Sequence, residues 1–206
     1  DVLQELESHG LVSYEGEVLL LKPAGLEMAL HIVRAHRLWE SYLAEQTGVS
    51  EAEWHRRAER QEHLLTPRET DALAAQLGHP RYDPHGDIIP ETPGDLVAEK
   101  GQPLQAIPAN TPVLITHIED EPETIYAQLC AQGLRPGMRA FLIEKSAQRI
   151  RFWADGNEHV LAPVLANNIT VTLLPEYKTE DLAEEEFLSG LRTGERAKVL
   201  GLSPAC

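Results

Sequence analysis

Cysteine is scarce: Cys130 and Cys206 are the two in a chain of 206 residues. They form no Cys-x-x-Cys pair, which excludes a disulfide scaffold and fits a reducing compartment, the cytoplasm. No run of 18 or more apolar residues occurs, so no segment reads as a membrane span, and no secretory leader opens the chain. Basic charge is short too, with 18 Lys and Arg against 33 Asp and Glu and a formal net charge of -15. Such a surface repels phosphate, which excludes strong non-specific binding of nucleic acid by this stretch. There is no phosphate loop, no His-Glu-x-x-His and no nucleophile with oxyanion donors, so the chain reads as neither an enzyme nor a binder of a small-molecule substrate.

What is present is a composition of 42% hydrophobic and 25% charged residues, that of an ordinary globular protein with one or two small domains. The chain opens on Asp1 inside a helical pattern, which leads to the expectation of a piece of a longer protein. Val2, Leu3 and Leu6 sit at helical spacing before Gly10, and two apolar runs, Leu11-Val12 and Val18–Leu21, flank a turn at Gly16. Helix then hairpin is the order of the back half of a winged helix, and residues 1–25 are assigned to that remnant. A long helix is predicted over 24–47, a second over 51–64 with a capping box at Ser50 and Glu53, and a third with Thr66 as cap, Pro67 first and Glu69 third. Residues 79–93 read as loop, and 93–103 as a mobile linker.

Residues 104–174 change character. Short strands are predicted at Val113–Ile115, Ala140–Ile143, Arg149–Trp153, His159–Leu161 and Ile169–Leu173, with a helix over Pro122–Gln132 and a hairpin turn at Asp155-Gly156-Asn157. That spacing indicates a small barrel. Residues 175–206 open with an acidic stretch, and Leu191–Leu200 is similar to Ile107–Leu114, so a second copy of the barrel is expected to start there. The fold class is therefore α+β multidomain, with a helical domain over 26–92 followed by the barrel.

The chemistry concentrates in the second and first long helices. His36 and Glu40 are four apart and share a face. His55, Glu59, Glu62 and His63 point within an arc of roughly 100° at the helical rotation per residue. Six nitrogen and carboxylate donors on two adjacent helices are one way to build a metal site in a bundle, and the mixture suits Mn, Fe, Co, Ni or Zn better than Ca. The alternative is a solvated face neutralised by the interleaved Arg34, Arg37, Arg56, Arg57 and Arg60.

The segments His36-Arg37-Leu38-Trp39-Glu40, Trp54–His63, Gly78-His79-Pro80 and Asp83–Pro90 together resemble the diphtheria-toxin-repressor-like family of metal-dependent regulators. Residues 104–174 resemble the FeoA-like, SH3-type barrel that many members carry. The resemblance implies a cytoplasmic homodimer that binds Mn2+ or Fe2+ as corepressor (Zn2+, Co2+ or Ni2+ in vitro) and then binds operator DNA through a winged helix. It implies His36, Glu40 and His55 as ancillary-site ligands, and Glu59, Glu62 and His63 as primary-site ligands. Glu59 stands where iron-responsive members have Cys and manganese-responsive ones Glu, a shift toward a hard oxygen donor. The remaining primary ligand belongs to a helix not present here. A gapless match of the barrel puts His117 and Asp120 at the positions that reach the ancillary site. His79 and His85 fall in the loop motif and are read as structural, and His9, His31 and His159 stand alone.

Ligand histidines must be neutral, so binding should weaken below about pH 6. With one Lys and six acids in residues 1–30, this chain alone is not expected to bind operators; DNA is a partner of the full-length protein. A regulator controlling iron or manganese homeostasis is the first reading. The alternative is the cytoplasmic regulatory domain of a metal-ion transporter permease.

Overall fold

The computed structural model describes residues 2–96 and 101–174, and the expected second barrel start after residue 175 lies outside them. Helix α1, Val2–Ser8, precedes an antiparallel hairpin of β1, Val12–Glu15, and β2, Val18–Leu21. Val12 is buried, whereas all four residues of β2 are exposed. Helix α2, Pro23–Gln46, starts with Pro at its first turn, where the missing N–H has no partner to lose. A Cβ on Gly25 would lie 2.0 Å from the Leu11 carbonyl oxygen, so glycine is what lets α2 start against the turn after α1.

A single 3-10 turn, Glu51–Glu53, leads into α3, Trp54–Glu62. The capping box expected at Ser50 is not formed. Ser50 makes no side-chain cap, and the Glu53 carboxylate that would complete the box is taken by Arg57 at 2.6 Å and Arg56 at 3.2 Å. The box expected at Thr66 is complete and starts α4, Pro67–Gln76. Leu38 of α2 packs with Leu73, Ala74 and Ile89, and Trp39, Tyr42, Leu65 and Leu77 close the edge of this cluster.

The expected linker carries structure at both ends. Pro93–Leu96 is a 3-10 turn held by the Asp95 carboxylate, which accepts from the N–H groups of Glu91 and Thr92. Strand β3, Gln102–Pro103, pairs with a later strand. Residues 97–100 lie outside the described residues.

Six strands form one antiparallel sheet in the order β3-β8-β4-β5-β6-β7. These are β4, Pro112–Ile118; β5, Arg139–Lys145; β6, Ile150–Ala154; β7, Asn157–Leu161; and β8, Ile169–Leu173, with helices α5, Glu123–Cys130, and α6, Pro163–Ala166. Asp155 and Gly156 both take positive φ, as a two-residue hairpin with a matching twist demands. Val113 and Ile115 face the core, and a bulge between Ile115 and His117 shifts the alternation so that Ile118 faces it too. Phe152, Leu142, Ile150 and Leu129 are among the wholly buried side chains, each contributing roughly 1.5–3 kcal/mol by the usual transfer scale.

The candidate metal centre

Four segments of the chain meet at Glu40. The carboxylate lies on α2, one turn beyond His36, and is 1% exposed. From α3 comes His55, from the loop after α4 comes His85, and from the end of β4 comes Asp120. Glu40 Oε1 is 3.0 Å from His36 Nε2, 3.4 Å from His55 Nδ1 and 3.6 Å from His85 Nε2. His55 Nδ1 is 2.7 Å from Asp120 Oδ2. Two three-donor groups result, His36/Glu40/His55 and Glu40/His85/Asp120, each with its ligand atoms within 4.8 Å of one another.

His36 Nε2 hydrogen-bonds Glu40 at 3.0 Å, but other donor nitrogens here have no such partner. His55 Nδ1 makes no hydrogen bond despite two carboxylates in reach, and both ring nitrogens of the buried His85 lack a hydrogen-bond partner. Buried polar atoms are nearly always hydrogen-bonded, so imidazole nitrogens without such a bond, two of them (His55 Nδ1 and His85 Nε2) within 3.6 Å of carboxylates, suit a bound cation. Two carboxylates balance a divalent charge, and the nitrogen and oxygen donors fit a first-row transition ion.

The electrostatics follow from the crowding. Burial would push the Glu40 carboxyl up, but His36, His55 and His85 around it hold it far below the usual carboxylate range. The His55 imidazole is raised to about 9, chiefly by Glu40, with burial opposing and Asp120 adding. Burial lowers the His36 and His85 imidazoles, and the Glu40 carboxylate beside each reverses the sign. A divalent ion would replace protons as the positive charge here.

The loop that carries His85 is built to do so. Asp83 Oδ1 accepts from the His85 and Asp87 N–H groups, both at 2.9 Å. Burial, with Asp87 adding, raises the Asp83 carboxyl to about 7. Arg37 donates to the Ile88 carbonyl at 2.5 Å and lies 3.4 Å from Asp87. Gly86 has φ +94, and a Cβ there would meet the Thr116 carbonyl at 2.1 Å. The loop therefore lies against β4, where the Ile118 N–H donates to the His85 carbonyl at 3.0 Å. The His85 ring packs edge-on to Tyr126 at 4.9 Å and Trp54 at 6.2 Å.

Of the expected site residues, the fold brings together His36, Glu40, His55 and Asp120. It adds His85, which the sequence reading took as structural; the available signal was a histidine set between Pro84 and Gly86 in a loop with its own aspartates. Glu62 accepts from His36 Nδ1 at 2.5 Å and lies 3.2 Å from His63. Glu59 is 3.8 Å from His55 Nε2, and both Glu59 and His63 are more than half exposed. Glu59, Glu62 and His63 form no third donor group among the described residues. His117 stands outside both groups, between Asp87 at 3.6 Å and Glu119 at 3.7 Å.

Known proteins share this architecture. Residues 22–91 match the family described as iron dependent repressor, metal binding and dimerisation domain. Over 82 residues the chain is 45% identical to a probable metal transport system membrane protein of Chlamydia trachomatis, covering 40% of this chain and 18% of that protein. The counterpart from Chlamydia pneumoniae is 44% identical, and the chain spans 20% of its length. The iron-dependent repressor IdeR of Mycobacterium leprae is 27% identical over 175 residues, 78% of this chain and 76% of the repressor. Among solved structures, a manganese-dependent transcriptional repressor in complex with manganese superposes with a TM-score of 0.75 at 28% identity, over 84% of this chain and 81% of that one. A helical part joined to a β-sheet part is thus the architecture shared with these repressors. Over residues 22–91 the chain is similar to the iron dependent repressor metal-binding and dimerisation family.

Proposed function

We propose that this chain is the metal-sensing and dimerising portion of a divalent-metal-dependent transcriptional repressor that governs iron or manganese homeostasis. The observation that carries the reading is the convergence of Glu40, His55, His85 and Asp120 with imidazole nitrogens that have no hydrogen-bond partner. Those four residues would hold one ion, with His36 beside it. A proton on His36 Nδ1, held by Glu62, leaves Nε2 to face the ion. Glu59, Glu62 and His63 would hold a second ion, together with a ligand from a preceding helix.

The finer architecture is part of the proposal. Residues 1–25 are read as the end of a winged helix, 26–92 as the metal and dimer domain, and 104–174 as a FeoA-like SH3-type barrel. The working form is a cytoplasmic homodimer, and operator DNA is a partner of the full-length regulator. The chain has no catalytic role and takes no small-molecule substrate. The bound ion supplies positive charge that α2, α3, the 83–87 loop and the sheet can share, which selects one arrangement of these parts.

Calorimetric titration with Mn(II), anaerobic Fe(II) and Zn(II) tests the reading. Wild type should bind with micromolar or tighter affinity, Glu40→Ala should lose the tetrad ion, and Glu59→Ala/Glu62→Ala should keep it. Equal binding by wild type and Glu40→Ala would refute the site.

A second reading rests on the 45% identity to the chlamydial metal transport membrane protein. Here the same metal-binding domain would regulate a permease to which it is joined. No helix among the described residues is long and apolar enough to cross a membrane. Immunodetection of the native protein in membrane and soluble fractions separates the two readings.

A further inference from the structure

The part of the sheet domain that supplies Asp120 is tied to the part of α3 that supplies His55 by a second contact outside the donor groups. Tyr126, on the first turns of α5, is 7% exposed, and its hydroxyl donates to Glu51 Oε1 at 2.5 Å. Glu51 stands one helical turn before His55, and Tyr126 stands six residues after Asp120. The same two segments thus meet twice, at Tyr126–Glu51 and at Asp120–His55. The Cys130 thiol adds a third, weaker contact to the same Glu51 oxygen at 3.3 Å. Beside the contact lies a largely apolar cavity of about 290 Å³ lined by Ala52, Ala127 and Ala131. The hydrogen bond thus aligns the two segments beside a gap in the packing. The Tyr126 ring also bears on the edge of His85, so one side chain steadies three of the four donors.

We infer that Tyr126 is a positioning residue for the metal centre: its hydrogen bond to Glu51 holds the Asp120 loop against α3 so that Asp120 and His55 are already in place when the ion arrives. This rests on the reading of Glu40, His55, His85 and Asp120 as ligands. A ligand that need not be ordered on binding costs less, and outer-sphere partners of this kind typically change metal affinity about 10- to 100-fold.

The experiment uses the whole chain stripped with chelator, and Mn(II) as probe, free Mn(II) being followed by its EPR signal. Tyr126→Phe keeps the ring and the packing on His85 and removes the hydroxyl alone. It should weaken Mn(II) binding about tenfold, at the low end for an outer-sphere partner. In an Asp120→Ala background the same change should cost less than about twofold, because the residue it positions is gone. Glu51→Gln, which keeps an acceptor oxygen, should bind nearly as wild type, and Glu51→Ala should behave as Tyr126→Phe. A role confined to stability would lower affinity alike in both backgrounds, and that result would overturn the inference. So would wild-type affinity in Tyr126→Phe. If Asp120→Ala itself binds as wild type, the ligand assignment fails and the inference falls with it; if Asp120→Ala binds weakly while Tyr126→Phe is unaffected, only the inference fails.

Discussion

Three imidazoles face one carboxylate at Glu40, and its loss should be felt more than that of any neighbour. Removing a charged ligand shared by both donor groups should cost more than an outer-sphere partner, so Glu40→Ala is expected to lower Mn(II) affinity by about 100-fold or more. In the same titration His85→Ala should lose at least about tenfold, whereas His117→Ala should change little, because His117 lies between Asp87 and Glu119. Tight binding by His85→Ala would return His85 to a structural role. The difference between these histidines is where sequence reasoning ran out. His36, Glu40 and His55 were legible because helical spacing gives directions from numbers alone. His85 was not, because its direction is set by Gly86 at positive φ and by Asp83 accepting from two N–H groups, neither of which has a periodicity. Asp120 was reached through resemblance, since no local pattern says that the end of β4 meets α3.

Helices with explicit caps were read well at the scale of elements. Thr66, Pro67 and Glu69 specify the start of α4 by chemistry that needs no tertiary partner. Ser50 and Glu53 offered the same pattern, but two arginines one turn on took the Glu53 carboxylate first. Thr66→Ala should cost about 1 kcal/mol in urea unfolding. The capping bonds from Thr66 hold the Glu69 carboxyl below its usual range in the folded chain. A depressed folded value stabilises above the unfolded value near 4.5 and loses that contribution as pH falls through the folded one. Wild type should therefore lose stability relative to Glu69→Gln as pH drops below about 4.5, and parallel curves for the two would contradict the box. Strand positions in the sheet were legible from short apolar runs between turn signals, but the bulge between Ile115 and His117 was not, and it decides which way His117 faces. Gly86→Ala tests the loop that meets this bulge. A Cβ at 2.1 Å from the Thr116 carbonyl, on a backbone with φ +94, should push the loop off β4, destabilise the chain by about 2 kcal/mol or more and weaken metal binding through His85.

The whole described molecule places its sheet part on its helical part, with the candidate centre at the seam. An ion bound there would tie α2, α3, the 83–87 loop and β4 together and so bind the folded chain alone. At free Mn(II) about 100 times the dissociation constant, mass action adds about 2.7 kcal/mol, which for a protein of this size raises the melting temperature by roughly 5–10 °C. Glu40→Ala should show no such rise. Anomalous diffraction from crystals grown with Mn(II) and recorded at the manganese absorption edge tests the central claim most directly. A peak about 2.0–2.3 Å from carboxylate oxygens of Glu40 and Asp120 and imidazole nitrogens of His55 and His85 is expected. A fully loaded crystal with its peaks elsewhere, and none among these four residues, would contradict it.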